Sequence, residues 1–171
     1  MTLHPANHRK LWLEDLIKTH NLKCGAELGV QEGVTYKHLI ENCRSLEWLV
    51  GVDNWINPEY QEEYDGFYKD ILEWEKSKNQ PKKIRIWKMD TTKASEMIDN
   101  CSLDFVFIDA DHKKAGVTRD IIKWTPKVKV GGWITGHDWP KPHIQQLVRG
   151  LLGHFGPIQQ GPDMVWFVKK T

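Results

Sequence analysis

The sequence predicts an α/β fold in which helices cover both faces of a seven-stranded, mostly parallel sheet. Strand-like segments alternate with segments whose apolar residues recur every three or four positions, as in amphipathic helices. The run 105–109 is almost wholly apolar, as expected of a central parallel strand buried on both faces. The last two strand-like segments have no helix between them, so they are expected to form an antiparallel hairpin.

The elements are predicted to follow one another along a single domain, 1–171, that begins with a helical segment at 1–22. Five strands are predicted at 23–28, 48–53, 84–89, 105–109 and 133–136. Helices are predicted at 6–19, 34–42, 58–76, around Ala94 to Ile98, at 116–124 and at 142–152. Pro58 suits the first turn of its helix. Residues 156–163 would hold a short strand and a turn, and the final strand would run over 164–168.

Composition narrows the class of protein. The 171 residues suit one domain with a substantial core, and 24 basic against 23 acidic side chains leave a net charge of only +1. Such a balance gives no global field for nucleic acid or an anionic membrane. No apolar run approaches the ~20 residues of a membrane span, and the N-terminus lacks an apolar signal core. Cys24, Cys43 and Cys101 have no metal-type spacing and are expected to be buried thiols, which favours a cytoplasmic location.

A glycine turn follows the first predicted strand and precedes a predicted helix. Residues 27–36 read E-L-G-V-Q-E-G-V-T-Y, which places Glu27, Gly29 and Gly33 in the pattern E-x-G-x-x-x-G. Strand, glycine turn and helix together let a nucleotide-bearing ligand approach the backbone. The dinucleotide fingerprint is G-x-G-x-x-G instead. An acid at Glu27 favours a ligand that carries an ammonium group and no pyrophosphate.

Acidic residues stand at or just past the carboxyl ends of five predicted strands. They are Glu27, Asp53, Asp90, Asp109 and Asp138. In open parallel sheets, ligands bind beyond these strand ends. Acids there also cap helices, which could account for one or two of them. Five after successive strands favour one shared site.

Five segments of the chain resemble class I S-adenosylmethionine-dependent methyltransferases. The segments are 27–36, 49–53, 89–91, 103–112 and 131–139, so the resemblance covers nearly the whole chain. The block I-D-A-D-H, followed by G-G-W-I-T-G-H-D-W, is similar to the small-molecule branch related to macrocin-type and catechol-type O-methyltransferases, many of which use a divalent metal. The resemblance implies a Rossmann-like fold and S-adenosylmethionine as the cofactor.

The resemblance also implies roles for the cofactor-binding residues. Glu27, Gly29 and Gly33 correspond to the first cofactor motif, and Asp53 would accept hydrogen bonds from both ribose hydroxyls. Asn54 or Trp55 could lie against the adenine, with ordinary loop packing as an equal alternative. Asp90, beside Thr91, would accept from the adenine amino group, a role compatible with capping the next helix. Asp109 would also border the cofactor.

The catalytic and metal assignments rest on the same resemblance. Asp109, His137 and Asp138 are the candidate metal ligands, for magnesium, calcium or manganese, with the histidine favouring manganese. Metal-binding relatives often have a carboxylate where His137 stands, so a hydrogen-bonded His137–Asp138 pair lining the pocket is the alternative. His112 is the candidate general base. Asp111 would orient it or share the metal, and both residues could instead cap the following helix.

The expected function is methyl transfer to the hydroxyl of a small molecule, with no nucleic acid or membrane partner. Short members of this group often complete a site with a second subunit, so a homodimer is among the expectations. Two alternatives remain. A nucleotide-cofactor oxidoreductase is disfavoured by the glycine spacing and the C-terminal hairpin. A cofactor-binding module or partner subunit that has lost catalysis suits the small size, but the intact I-D-A-D-H and H-D-W segments argue against it.

Overall fold

The structure, a computed structural model, describes residues 8–79 and 83–171. In chain order the helices are α1 Arg9–Thr19, α2 Val34–Asn42, α3 Gln61–Lys78, α4 Thr91–Glu96, α5 Lys114–Trp124 and α6 Pro142–Leu152. The strands are β1 Cys24–Leu28, β2 Trp48–Asp53, β3 Ile84–Lys88, β4 Leu103–Ile108, β5 Val128–Gly136, β6 Gln159–Gln160 and β7 Trp166–Lys169. Short 3-10 turns follow α5 and α6.

The seven strands form one sheet in the order β3-β2-β1-β4-β5-β7-β6. Strands β1 to β5 are parallel, because a helix crosses over between each strand and the next along the chain. β7 runs antiparallel to β5, and β6 antiparallel to β7. This is the Rossmann-like arrangement that the sequence predicts, including the antiparallel C-terminal hairpin.

Apolar side chains on the two faces of the sheet form two cores. Alternate residues of β4 show the division. Val106 and Ile108 belong to the cluster packed under α4, α5 and α6, and Phe105 and Phe107 belong to the cluster under α1, α2 and α3. Helices therefore cover both faces, and the carboxyl edge of the parallel strands is left for the loops that follow them.

Several element boundaries differ from the prediction. Helix α3 begins at Gln61 and not at Pro58, because residues 57–60 form a turn: the N–H of Tyr60 donates to the carbonyl of Asn57 over 3.1 Å. Strand β5 begins five residues early, at Val128, which pairs with Leu103 before the register shifts. Helix α4 starts at Thr91, where Asp90 caps it, and ends at Glu96, before Met97 and Ile98. Strand β4 begins at Leu103 rather than 105, and α5 at Lys114 rather than 116.

The N-terminal helix is described from Arg9 onward, so Ala6 and Asn7 of its predicted range lie outside the described residues. The three cysteines are free thiols, but only Cys43 is buried, and Cys101 is exposed rather than buried as predicted. No helix in the described part of the chain is long and apolar enough to cross a membrane.

Candidate active site

A cavity of about 900 Å³ opens at the carboxyl edge of the sheet. It lies where the strand order reverses between β1 and β4, the position at which open α/β sheets bind ligands. The site residues predicted from the sequence line this cavity, except Gly33 and Trp55, the alternative to Asn54. The predicted residues that do line it are Glu27, Gly29, Asp53, Asn54, Asp90, Thr91, Asp109, Asp111, His112, His137 and Asp138.

Two glycines with left-handed backbone conformations shape the turn after β1. Gly29 has φ +88°, and a Cβ there would meet the carbonyl oxygen of Asp109 at 2.2 Å. The turn therefore packs directly on the end of β4, where a larger residue would not fit. Gly33 has φ +75° and precedes α2, where a Cβ would press on Ile71 at 2.6 Å. Gly33 therefore allows the turn to pack against Ile71 of α3, and it does not line the cavity.

Asp53 at the end of β2 holds that glycine turn in place. Its Oδ2 accepts hydrogen bonds of 2.9 Å from the N–H groups of both Val30 and Gln31. Its Oδ1 accepts from the N–H of Trp55 over 2.8 Å. A carboxylate has about four lone-pair sites, so three are used by backbone and one remains. One site is therefore open to a ribose hydroxyl, and acceptance from both hydroxyls stays a prediction.

The two residues after Asp53 do not supply an aromatic wall. Asn54 lines the cavity mouth, but its Oδ1 accepts from the N–H of Ile56 over 2.9 Å. Trp55 is fully buried beneath the glycine turn, where its ring lies 4.8 Å from that of Tyr68. Its indole N–H donates to the carbonyl of Gln31. Trp55 is therefore part of the core, which agrees with the alternative of ordinary loop packing.

Glu27 is a buried acid that lines the cavity. Its side chain is only 3% exposed, and Oε2 has no hydrogen-bond partner among the described residues. Burial raises the pKa of Glu27 well above its ordinary value, and the charge of Asp109 raises it further. A buried carboxylate with an unpaired oxygen is costly unless a cation or donor reaches it. The site is therefore suited to a ligand ammonium group, as the sequence indicated.

The loop after β3 joins the cavity to helix α5. Asp90 caps α4 by accepting from the N–H groups of Thr92 and Lys93 through Oδ1. Burial alone would raise the pKa of Asp90, but these bonds bring it below its ordinary value. Thr91 lines the cavity, yet its hydroxyl donates to Asp120 Oδ1 over 2.6 Å. The proton of this hydroxyl is therefore already donated to Asp120, and the oxygen can still accept a hydrogen bond from the cofactor.

His112 and Asp138 form a pair across the loops after β4 and β5. His112 Nδ1 lies 2.8 Å from Asp138 Oδ2, and Lys141 Nζ lies 2.7 Å from the same oxygen. Burial would raise the pKa of Asp138, but Lys141, His112 and His137 lower it overall, so the carboxylate stays ionised. Asp138 also has φ +66°, a left-handed conformation that costs energy and is concentrated at functional sites.

Asp111 is not the residue that orients His112. Its Oδ1 accepts from the N–H of Lys113 over 2.8 Å, in the turn before α5. A Cβ on Gly116 would fall 2.0 Å from Asp111 Oδ2, so the carboxylate packs against the first turn of that helix. The contact with His112 that was expected of Asp111 is made by Asp138, and Asp111 shapes the loop between β4 and α5.

Asp109 and His137 both lie beside Arg9, a residue that the sequence analysis did not assign to the site. His137 Nδ1 lies 3.3 Å from Asp109 Oδ1, and Arg9 Nη2 lies 3.7 Å from Asp109 Oδ2. Arg9 Nη1 is also 3.4 Å from His137 Nε2. Burial would lower the pKa of His137, but the neighbouring carboxylate of Asp109 raises it above its ordinary value. Helix α1 thus delivers a guanidinium group to the end of β4.

The predicted metal ligands do not fit a divalent ion. Within residues 8–79 and 83–171, no group of three His, Cys, Asp or Glu side chains is arranged to hold one. The two carboxylates are also balanced already, Asp109 by Arg9 and Asp138 by Lys141. A hard cation prefers uncompensated oxygen ligands. His137 and Asp138 do line the cavity, as in the alternative, but their closest atoms, Nδ1 and Oδ1, are 3.5 Å apart and form no hydrogen bond.

Arg9, Lys141 and Asp120 line the cavity but were not singled out from the sequence. Arg9 contacts residues about one hundred or more positions away, which no local pattern reveals. Asp120 could have been noticed, because it lies on the buried side of α5 with Val117, Ile121 and Trp124. An acid on the apolar side of an amphipathic helix is a signal that a buried polar role exists.

A Rossmann-like sheet that ends in an antiparallel hairpin, with an acidic cavity and a glycine turn at its switch point, defines a class I S-adenosylmethionine-dependent methyltransferase. The chain belongs to the family whose model is described as a methyltransferase domain, which matches residues 26–139. No curated protein sequence matches the chain.

Solved structures share the fold at low sequence identity. A Staphylococcus aureus protein provisionally named a caffeoyl-CoA O-methyltransferase has a TM-score of 0.67 at 16% identity, over 95% of this chain and 82% of its own. A Klebsiella pneumoniae protein provisionally named an O-methyltransferase has a TM-score of 0.65 at 14% identity, over 99% and 84%. A Clostridium thermocellum protein provisionally named an rRNA methylase has a TM-score of 0.64 at 14% identity, over 100% and 99%. Likeness at this identity establishes the fold alone.

Proposed function

We propose that this chain transfers a methyl group from S-adenosylmethionine to the hydroxyl of a small molecule. The observation that carries the proposal is the 2.8 Å contact between His112 Nδ1 and Asp138 Oδ2 at the cavity. A carboxylate at this distance stabilises the imidazolium that forms when the ring of His112 accepts a proton from a hydroxyl. A base held in this way suits an acceptor that must lose a proton as it attacks.

The cofactor supplies an electrophilic methyl group on a cationic sulfur. The chain's own residues bind and orient the reactants, and this positioning is expected to supply much of the rate. Glu27 would receive the ammonium group, Asp53 one ribose hydroxyl and Asp90 the adenine amino group. His112 would take the acceptor's proton. Arg9, beside Asp109, offsets negative charge where the acceptor would enter.

The size and charge of the cavity support a small acceptor. A volume of about 900 Å³ lies within the usual range for small-molecule sites. Its lining carries eight acidic side chains against four Lys and Arg side chains. The acids are Glu27, Glu32, Asp53, Asp90, Asp109, Asp111, Asp120 and Asp138, and the bases are Arg9, Lys113, Arg119 and Lys141. An acidic lining disfavours a phosphate backbone.

Release of S-adenosylhomocysteine over a panel of acceptors tests the proposal. The panel would hold phenols, catechols, hydroxyacyl thioesters and a ribosomal RNA fragment, since the fold neighbours include proteins named for both kinds of substrate. We expect turnover with a small hydroxyl compound and a product heavier by one methyl group. Methylation of the RNA alone would contradict the assignment. Cofactor binding without turnover on any acceptor would favour the inactive binding module.

Chelation is expected to leave turnover within about twofold of the untreated enzyme. The physical reason is that Arg9 and Lys141 already neutralise the carboxylates that would otherwise hold a divalent cation. Initial rates would be compared in excess EDTA and after addition of Mg²⁺ or Mn²⁺, with cofactor affinity measured in the same buffers as the control. A rate that collapses in EDTA and recovers with either metal would show that a metal assists the reaction.

A further inference from the structure

A second buried acid lies at the end of the cavity near the loop after β3. Asp120 of α5 is 1% exposed and lines the cavity together with Asp90 and Thr91. It lies on the buried side of its helix, where an apolar residue would ordinarily stand. Burying a carboxyl group there costs free energy unless its oxygens are paired.

Only one of its two oxygens is paired. Thr91 Oγ1 donates to Asp120 Oδ1 over 2.6 Å, and the carbonyl of Thr91 accepts from the indole N–H of Trp124 over 3.1 Å. Oδ2 is buried and has no hydrogen-bond partner among the described residues. A structural role in holding α4 against α5 explains the hydrogen bond of Oδ1. It does not explain why Oδ2 is buried without a partner.

The charged groups facing Asp120 are Arg119 on its own helix, Asp90 before α4 and Asp111 before α5. Burial raises the pKa of Asp120 to about 6, and the two neighbouring acids act in the same direction against Thr91 and Arg119. The pKa of Asp90, in contrast, lies below its ordinary value, because backbone N–H groups donate to its carboxylate. Two acids whose surroundings drive their pKa values apart can serve as one acceptor and one donor.

We propose that Asp120 is a specificity residue for the adenine ring of the cofactor, in which its Oδ2–H donates to ring nitrogen N1 while Asp90 accepts from the adjacent amino group. This inference rests on the proposed S-adenosylmethionine site. The Watson–Crick edge of adenine offers a donor beside an acceptor, and Asp90 and Asp120 would offer the complementary pair. Hypoxanthine presents the reverse pattern, an oxygen beside N1–H, and would leave both acids mismatched.

The test compares wild type with Asp120→Asn by calorimetry, with S-adenosylhomocysteine as the probe, at steps from pH 5.5 to 8. In the variant, the amide oxygen can still accept from Thr91, while the NH₂ group donates to N1 at every pH. Wild type must protonate Asp120 to donate. The ratio of variant affinity to wild-type affinity is therefore expected to rise by up to about tenfold per pH unit above pH 6. Comparing the two proteins at each pH cancels the titration of Glu27, which both share.

A second readout is the preference for S-adenosylhomocysteine over S-inosylhomocysteine. Wild type is expected to prefer the adenine compound at pH 6 and to lose part of that preference at pH 8, while Asp120→Asn keeps it. Asp99→Asn, a change at an exposed acid, is the matched control and should follow wild type. An affinity ratio that stays constant across the pH range would overturn the role of Asp120 and leave it a structural tie. Failure of both proteins to bind S-adenosylhomocysteine at any pH would instead overturn the proposed function.

Discussion

Replacing His112 with alanine is expected to lower kcat by about 100- to 10,000-fold, the range that a positioned general base contributes. His112 Nδ1 lies 2.8 Å from Asp138 Oδ2, and this carboxylate stabilises the positive charge that the ring gains when it takes the acceptor's proton. Because proton removal occurs only as the transition state forms, the Michaelis constant for the acceptor should change little. Steady-state kinetics with a responsive acceptor would measure both constants.

The control variant is His154→Ala, an exposed histidine that does not line the cavity, which should keep wild-type kinetics. Cofactor affinity of His112→Ala should also match wild type, which shows that the site is intact. Added imidazole should restore part of the lost rate by acting as a diffusible base. A loss of less than tenfold would remove His112 from the role of base.

Glu27→Gln is expected to weaken cofactor binding by roughly 10- to 150-fold, which corresponds to the ~1.5–3 kcal/mol of a hydrogen bond to a charged group. The same variant should make the ligand-free protein more stable. Glu27 is 3% exposed with an unpaired Oε2, and the neutral amide removes the cost of burying that charge. Each ~1 kcal/mol gained would raise the melting temperature by about 2–4 °C in a domain of this size.

The stability effect has a defined dependence on pH. Burial raises the pKa of Glu27 in the folded protein well above the ordinary 4.5, so the folded state holds a proton that the unfolded state releases. Wild-type stability therefore falls as pH rises from about 4.5 until the folded-state pKa is passed. The melting-temperature advantage of Glu27→Gln should accordingly be larger at pH 8 than at pH 5. An advantage in melting temperature that is equal at both pH values, or absent, would mean that burial does not raise the pKa of Glu27.

Exposed Glu63 of α3 provides the matched substitution. Glu63→Gln should leave both the melting temperature and the affinity for S-adenosylhomocysteine close to wild type. A similar gain in stability in both variants would trace the effect to net charge and not to the buried position of Glu27.

The strands and the carboxyl edge could be predicted because they depend on local patterns. The apolar run of β4 and the alternation of strands with helices indicate the parallel sheet, and the adjacent final strands indicate the hairpin. Once the strands are placed, the parallel order brings Asp53, Asp90 and Asp109 to one edge regardless of loop detail. This is why the sequence located the cavity and most of its lining.

The contacts within the cavity could not be predicted, because they join loops and helices that are far apart in the chain. Nothing in the pattern of α1 shows that Arg9 reaches Asp109, about one hundred residues later. Likewise, Asp111 is next to His112 in sequence, but the turn before α5 points its carboxylate to backbone, and Asp138 of another loop takes its place. The metal prediction rested on the resemblance and on residue types, and neither of these shows that Arg9 lies beside Asp109 and Lys141 beside Asp138.

The most direct test of the central claim is a calorimetric titration of the wild-type protein with S-adenosylhomocysteine and, separately, with NAD. The turn between Glu27 and Gly33 lacks the dinucleotide glycine spacing, and buried Glu27 would receive the ammonium group. We expect saturable binding of S-adenosylhomocysteine at one site per chain, lost in large part in Glu27→Gln, and no measurable heat with NAD. Tight binding of NAD with no response to S-adenosylhomocysteine would contradict the account.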